Sequence, residues 1–216
     1  EDAPILDDII DLADENKVPL RELSRAKFDS TARTESSQGV IALAQAVPET
    51  TLDELGRTNT ATPGEAPFLL IVDGVTDPGN LGALLRSAEC AGVAGVVLPK
   101  HRAVHLSPTV TKSAAGAIEH LPMCLVGGLP AAITRLRELG VWVIGLDGPA
   151  DQPLFDLSLA AEPVALVLGS EGKGLSRLVA QRCDSVVSIP LRGALGSLNV
   201  GAAGTLACYE VARRRV

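Results

Sequence analysis

The sequence predicts an α/β fold with a parallel β-sheet, and two observations support this prediction. Five short apolar runs alternate with helical patterns between residues 68 and 213, which is the order of βαβ units. Hydrophobic residues make up 46% of the chain and aromatic residues only 2%, so the core must consist mainly of aliphatic side chains. Continuous aliphatic strands are typical of a parallel sheet that is covered on both faces.

The first 47 residues predict a few short elements. Apolar residues at helical spacing predict an amphipathic helix over residues 4–16. Residues 18–20 are typical of a short strand, residues 21–32 of one or two helices, and residues 38–44 of an apolar strand. Because so few elements cannot bury a core of their own, we expect this segment to be part of a domain.

Residues 48–66 are rich in Pro, Thr and Gly, which predicts a linker with one helical turn at residues 52–55. Regular elements follow. The predicted strands lie within residues 68–75, 93–99, 141–148, 163–170 and 185–190, and the predicted helices at 80–91, 108–117, 129–139, 174–182 and 198–213.

The segments that follow the predicted strands are rich in glycine: DGVTDPGN, GLDG, GSEGKG and IPLRGALGS. Since ligands bind at the carboxyl ends of parallel strands, we expect these segments to form one ligand site. GSEGKGLS (169–176) is neither a phosphate-binding P-loop nor a dinucleotide GxGxxG, and Leu168 excludes the serine-hydrolase GxSxG. It is therefore a ligand loop of another type, and a dinucleotide-binding enzyme is disfavoured.

Single residues in these loops also have structural interpretations. Asn80 is typical of a helix N-cap, Arg86 of a solvated surface group, and Glu171 of a charge that complements a helix dipole. His101 and His105 lie four residues apart, but prolines flank their segment and no carboxylate is placed nearby, so we expect no metal site. Lys100, His101, Arg102 and Lys112 predict a small basic spot for phosphates instead.

The charge is unevenly distributed. The net charge is −7, yet residues 1–66 hold 14 acidic and 6 basic residues while residues 67–216 hold 12 and 13. The larger part is therefore nearly neutral, which permits an RNA partner. The scarcity of aromatic residues does not support binding of single strands by base stacking.

Cysteine usage and hydropathy bear on the compartment. Cys90, Cys124, Cys183 and Cys208 are widely spaced, which is typical of reduced core residues of a cytosolic protein. No apolar run approaches the ~20 residues that span a bilayer, so we expect a cytoplasmic protein without a membrane partner.

Three ordered segments resemble the motifs of the SpoU (TrmH) family of RNA ribose 2′-O-methyltransferases, within the SPOUT class. They are DGVTDPGNLGALLRSAECAG (73–92), ALVLGSEGKGLSRLV (165–179) and SIPLRGALGSLNVGAAGTLACYE (188–210). The resemblance extends over roughly residues 67–214. Leu191 stands where many members have methionine, and Gly201 where serine is frequent, and neither is expected to carry chemistry.

The resemblance implies a domain layout and an assembly. Residues 1–47 would be part of a small α/β, L30e-like RNA-binding domain, inside which the chain begins, and residues 48–66 a linker. Residues 67–216 would be the catalytic domain, an α/β fold with a parallel sheet and a C-terminal trefoil knot. The resemblance also implies an obligate homodimer with its active sites at the subunit interface.

The resemblance further implies S-adenosylmethionine as the cofactor, held mainly by backbone at Gly169, Ile189 and Leu198, with GLDG (145–148) nearby. For catalysis it points to five residues. Arg86 would hold the adjacent phosphate and favour the developing alkoxide, or accept the proton through that phosphate, and the first role is favoured because an arginine guanidinium is a poor base. The other four would orient the ribose, Arg86 and the cofactor: Asn80, Glu171, Ser197 and Asn199.

The predicted function is methylation of a ribose 2′-hydroxyl, with ribosomal RNA favoured by the two-domain layout. A tRNA substrate is the first alternative. The second is a non-catalytic RNA- or ribosome-binding factor with the same fold, which the intact set of five residues disfavours.

Overall fold

The computed structural model describes residues 4–32, 39–45, 47–100, 106–148 and 150–216. The chain divides into two compact units, Glu1–Ala44 and Gln45–Val216. His101 and His105, considered above for a metal, and Arg102 of the basic spot lie outside the described residues. None of the described helices is long and apolar enough to cross a membrane.

The smaller unit contains the helices α1 (Pro4–Glu15) and α2 (Arg25–Thr31) in its described part. The helices predicted at 4–16 and within 21–32 are thus confirmed. The strand predicted at 18–20 is wrong, and so is the one at 38–44 over its described residues 39–44, because neither forms a strand. Extended segments become stable strands only when neighbouring strands pair with their backbone, and no such pairing occurs here among the described residues.

In the larger unit, seven strands of the described chain form one sheet in which every pairing is parallel. The strands are β1 (Phe68–Val72), β2 (Gly95–Pro99), β3 (Met123–Val126), β4 (Trp142–Leu146), β5 (Gln152–Pro153), β6 (Val164–Leu168) and β7 (Ser185–Ser188). Their order across the sheet is β3-β2-β1-β6-β4-β7-β5. The five predicted strands and the parallel sheet are confirmed, whereas β3 and β5 are additions that the pattern does not predict.

The helices of the larger unit are α3 (Leu52–Leu55), α4 (Pro78–Cys90), α5 (Pro108–Ala114), α6 (Leu129–Glu138), α7 (Arg177–Ala180) and α8 (Val200–Arg215). Each overlaps a predicted helix. α5 ends earlier than predicted because Ala115 and Gly116 adopt left-handed φ angles of 48° and 89°. α7 begins later than predicted because Gly174 closes a hairpin with Ser170 and the helix starts only after Ser176.

Aliphatic side chains cover both faces of the sheet. Along β1, Leu70 packs on the face that α4, α5 and α8 cover, and Leu69 on the opposite face, which α6 covers. All five residues of β1 are buried. The continuous aliphatic runs of the sequence thus correspond to a sheet buried on both sides.

The segment predicted as a linker contacts the larger unit. Thr51 and Glu54 form a capping box at the start of α3, and Leu55 is buried against the α6 face of the sheet. Glu49 forms a parallel bridge with Met123, the first residue of β3. Residues 49–55 are therefore fixed to the sheet.

The packing of α8 on α4 positions the site. Gly204 allows the contact, because a Cβ there would lie 2.3 Å from Leu84 Cδ1. Next to this contact, the Thr205 hydroxyl of α8 donates a hydrogen bond to Ser87 Oγ of α4 at 2.8 Å. The start of α8 consequently lies beside the start of α4.

Candidate active site

A cavity of about 400 Å³ lies at the carboxyl edge of the sheet. Its walls come from the segments after β4, β6 and β7 and from the first turn of α8. The three predicted cofactor-binding residues, Gly169, Ile189 and Leu198, all line it. Two of the predicted catalytic residues, Glu171 and Ser197, line it as well. The structure therefore brings these glycine-rich strand ends together around one cavity, as the sequence predicts, and that the cavity binds a ligand stays a prediction.

The cavity combines apolar side chains with bare backbone. Its apolar walls are Leu146, Leu168, Ile189, Leu191, Leu198, Val200 and Ala203. At Gly148, Gly172 and Gly196 an added Cβ would meet no atom within 4 Å, so these glycines leave room for a ligand beside their peptide groups. Such a cavity suits a flat, largely apolar ligand whose polar edge bonds to backbone.

Three predicted catalytic residues form one hydrogen-bonded cluster, although they come from separate segments. Glu171 Oε1 accepts hydrogen bonds from Asn80 Nδ2 at 2.8 Å and from Asn199 Nδ2 at 2.9 Å. Asn199 Nδ2 also donates to Asn80 Oδ1 at 2.8 Å. No hydrogen bond to Glu171 Oε2 forms within the described part of the chain, so this oxygen is available to a ligand.

Asn80 is not the N-cap of α4, and that prediction is wrong. The cap is Asp77, whose Oδ1 accepts the backbone N–H of Asn80 at 2.7 Å. Pro78 occupies the first helical position, where proline is favoured because no N–H is needed there. The cap is therefore the residue just before Pro78, which is Asp77. The Asn80 side chain is consequently free to join the Glu171 cluster.

Asn199 has two roles in this geometry. Its Oδ1 accepts the backbone N–H groups of Gly201 at 2.9 Å and Ala202 at 3.3 Å, which caps α8. Its amide nitrogen faces Asn80 and Glu171. The helix cap therefore also fixes the orientation of the cluster.

The loop after β6 is a closed hairpin rather than the start of a helix. Ser170 and Gly174 exchange backbone hydrogen bonds of 3.0 Å in both directions. Gly172 and Gly174 have left-handed φ angles of 73° and 64°, which favour glycine. Glu171 lies at the turn of this hairpin and thus reaches the cluster.

Two carboxylates that hold this hairpin were not predicted from the sequence. Asp73 Oδ2 accepts the N–H of Ser176 at 2.9 Å, and Asp147 Oδ2 accepts the N–H of Leu175 at 3.2 Å. Each aspartate directly follows a buried strand, in IVDG and GLDG. That recurrence at two strand ends was the signal available in the sequence.

Arg86 is the one predicted catalytic residue that the structure does not bring to this site. It is exposed on α4, six residues beyond Asn80, and it is not part of the cavity wall. It forms no hydrogen bond or ion pair within the described ranges. Those ranges also contain no group of His, Cys, Asp and Glu side chains that could hold a metal ion.

The fold and the site define an α/β protein with a ligand cavity at the strand ends and an amide–carboxylate cluster beside it. The chain belongs to the SpoU rRNA methylase family, whose model matches residues 67–209. A second family model, for the RNA 2′-O ribose methyltransferase substrate-binding domain, matches residues 1–50. The family predicted from the three motifs is therefore confirmed.

Named relatives agree with this assignment. The 23S rRNA (guanosine-2′-O-)-methyltransferase RlmB of Shewanella oneidensis is 43% identical over 195 residues, which covers 89% of this chain and 77% of that protein. The RlmB of Pseudomonas putida is 39% identical, with 98% and 84% covered.

Among solved structures, the SpoU methyltransferase AviRb of Streptomyces viridochromogenes, in complex with the cofactor AdoMet, superposes with a TM-score of 0.66. It is 30% identical, and the match covers 90% of this chain and 80% of that one.

Proposed function

We propose that this protein is an S-adenosylmethionine-dependent methyltransferase that methylates a ribose 2′-hydroxyl of ribosomal RNA. The Glu171 cluster carries the proposal, because it joins residues of three separate motifs beside a cavity lined by glycine backbone. Membership of the SpoU family supports the reaction, and relatives named as 23S rRNA methyltransferases support the choice of RNA.

The cavity fits the cofactor. Adenine is an apolar plate with a polar edge, and the walls offer aliphatic side chains for the plate and backbone groups for the edge. Gly169, Ile189 and Leu198 would hold the cofactor, with the backbone at Gly148 nearby. When bound, S-adenosylmethionine supplies an activated methyl group.

The chain's own residues would prepare the ribose. A ribose hydroxyl is a poor nucleophile that must lose its proton as it attacks. Glu171, through Oε2, would accept the hydrogen bond of the 2′-hydroxyl, and the hydroxyl of Ser197, which also lines the cavity, would donate one to a ribose oxygen, so that together they orient the ribose. Asn80 and Asn199 fix the Glu171 carboxylate, so the ribose would meet a preorganised acceptor.

Arg86 would act in the site of a second copy within a homodimer. The exposure of Arg86, and its position outside the cavity of its own chain, support this assignment. The guanidinium would bind the phosphate next to the reacting ribose and stabilise the developing negative charge. Exposed apolar side chains on the outer face of α8, Leu206 and Tyr209, support a protein contact on this side of the molecule.

We further propose that residues 1–47 belong to an RNA substrate-binding domain, that residues 48–66 connect it to the catalytic domain, and that residues 67–216 form the catalytic domain. The family models that match residues 1–50 and 67–209 support this layout. The C-terminal trefoil knot remains a prediction from the family.

The test is methyl transfer from labelled cofactor to ribosomal RNA, with tRNA offered in parallel. Arg86→Ala is expected to lower the rate at least ~10²-fold, the size expected for loss of a preorganised electrostatic contact, with unchanged thermal stability. Arg137→Ala is the matched control, because Arg137 pairs with Asp184 before β7, at the opposite edge of the sheet. A normal rate for Arg86→Ala would refute the mechanism, and transfer to tRNA alone would refute the proposed substrate.

Mixing two inactive variants tests the dimer. If Arg86 serves the partner's site, a mixed dimer of Arg86→Ala and Glu171→Ala subunits contains one intact site. After random exchange of subunits, an equal mixture should recover about a quarter of the wild-type rate. If the mixture stays inactive although the subunits exchange, Arg86 serves its own site or none.

A further inference from the structure

Two aspartates hold the glycine hairpin from both sides. β6 lies between β1 and β4 in the sheet, and an aspartate follows each of these neighbouring strands directly. Asp73, after β1, accepts the N–H of Ser176 through Oδ2 at 2.9 Å. Asp147, after β4, accepts the N–H of Leu175 through Oδ2 at 3.2 Å. The chain that leaves the hairpin is therefore fixed to both neighbours of β6.

The hairpin transmits this restraint to Glu171. Ser170 and Gly174 are joined by two backbone hydrogen bonds of 3.0 Å, so the turn between them moves as one piece with Leu175. Gly169 packs against this piece so closely that an added Cβ would lie 2.2 Å from the carbonyl carbon of Gly174. A shift of residues 174–176 would consequently displace Glu171 from Asn80 and Asn199.

The two carboxylates differ in how many oxygens they use. Asp147 uses both, because Oδ1 accepts the N–H of Gly148 at 2.8 Å while Oδ2 accepts that of Leu175. Residues 147–148 and the hairpin both line the cavity, so Asp147 fixes these two walls relative to each other. Asp73 uses one oxygen, toward Ser176. An asparagine can therefore replace the acceptor at position 73, but at position 147 it would place an NH₂ group against one of the two backbone N–H donors.

We propose that Asp73 and Asp147 are positioning residues for methyl transfer, which act by holding the 170–174 hairpin and thereby Glu171. This inference rests on the proposed function. It differs from a general contribution to folding, because Ser176 is exposed and water can satisfy its N–H when Asp73 is removed. The loss of Asp73 should therefore affect the geometry of the site more than the stability of the fold.

The experiment compares Asp73→Ala, Asp73→Asn, Asp147→Ala and Asp147→Asn in the full chain. Hydrogen exchange of the Leu175 and Ser176 amides, followed by NMR, reports the restraint directly. We expect exchange of the freed amide to accelerate about tenfold in each alanine variant. The single-turnover rate with saturating RNA should fall about 10–100-fold, since displacements of about 1 Å have effects of this size, while KM for RNA changes little. Asp73→Asn should recover most of the lost rate, and Asp147→Asn should not.

Asp184→Ala is the matched control. Asp184 also accepts a backbone N–H, from Val143 at 2.9 Å, and pairs with Arg137, but it precedes β7 at the amino edge of the sheet. Its loss should lower the melting temperature while exchange in the hairpin and the transfer rate stay within about twofold of wild type.

Three results would overturn the proposal. One is a wild-type rate in Asp73→Ala and Asp147→Ala, and another is an unchanged exchange rate of the hairpin amides. The third is a loss of rate in Asp184→Ala equal to that in Asp73→Ala. A wild-type chain that transfers no methyl group would instead refute the proposed function, and hydrogen exchange would still decide whether the carboxylates hold the hairpin.

Discussion

Replacing Asn80 by aspartate changes one atom of the Glu171 cluster and reverses its electrostatics. The amide nitrogen that now donates to Glu171 Oε1 at 2.8 Å would become a carboxylate oxygen. Size and shape are nearly unchanged. An acidic residue in the first turn of α4 is favourable to the helix, so the fold should tolerate the change.

The magnitude follows from the distance. Two unit charges about 2.8 Å apart repel by roughly 1.5 kcal/mol in water and by roughly 6 kcal/mol at an effective dielectric constant of 20. The cluster lies partly exposed at the cavity, so we take the lower value as the guide. Since about 1.4 kcal/mol corresponds to a factor of ten, Asn80→Asp should reduce methyl transfer at least ~10-fold below Asn80→Ala, which removes the donor without adding charge.

The assay is single-turnover methyl transfer at a series of pH values, with wild type measured at each pH. Two close carboxylates raise the pKa of one of them, so protonation at lower pH restores a hydrogen bond between them. The rate of Asn80→Asp relative to Asn80→Ala should therefore rise as the pH falls from about 8 to about 5.5. A ratio near one at every pH would refute the role of the Asn80–Glu171 hydrogen bond.

Three further predictions follow from close contacts and pKa shifts. Gly169→Ala should weaken cofactor binding at least ~10-fold by calorimetry, because its Cβ would lie 2.2 Å from the backbone of Gly174. Hydrogen bonds from Arg213 and Arg214 lower the pKa of Glu210 in the folded chain. Glu210 therefore contributes to the free energy of unfolding above its pKa in the unfolded chain, and this contribution is lost as the pH falls through its pKa in the folded chain. Glu210→Gln should flatten this acid dependence in urea titrations. Burial raises the pKa of Cys208 to about 12, so Cys208 should resist thiol reagents in the folded chain while exposed Cys90 reacts.

Each of these has a contrary outcome. If Gly169→Ala binds the cofactor as tightly as the wild type does, then the hairpin shifts to admit the Cβ without changing the cavity. If the free energy of unfolding of Glu210→Gln depends on acid pH as that of the wild type does, then Glu210 and its two arginines do not cause this dependence. Labelling of Cys208 as fast as that of Cys90 would show that α8 opens readily.

The regular part of the fold could be predicted because its strands are buried on both faces. Runs such as residues 68–72 and 164–168 are continuously apolar, and several such runs that alternate with helices are typical of a parallel sheet covered on both faces. β3 and β5 are too short to give a clear signal. β3 has four residues between Pro122 and Gly127, and β5 has two, so their pairing depends on neighbours that are distant in sequence.

Single residues of the candidate site could be predicted from the sequence, but the hydrogen bonds that join them could not. Glycine-rich strand ends predicted where the cavity lies, and Glu171, Asn80 and Asn199 were predicted as site residues from their motifs. The sequence nevertheless favoured Asn80 as a helix cap, because a cap depends on where the helix begins, and Asp77 takes that place. Asp73 and Asp147 recur after two strands, but their partners are backbone N–H groups, so the sequence does not identify what they hold.

Alkaline hydrolysis of methylated RNA tests the central claim most directly. Ribosomal RNA is incubated with the protein and with S-adenosylmethionine that carries a labelled methyl group, and is then hydrolysed in alkali. Alkaline cleavage requires attack by a free 2′-hydroxyl on the adjacent phosphate, so a 2′-O-methyl group protects one bond. If the protein methylates the 2′-hydroxyl, the label appears in alkali-stable dinucleotides, and Arg86→Ala abolishes it. Label recovered in mononucleotides, or no label in RNA at all, would contradict it.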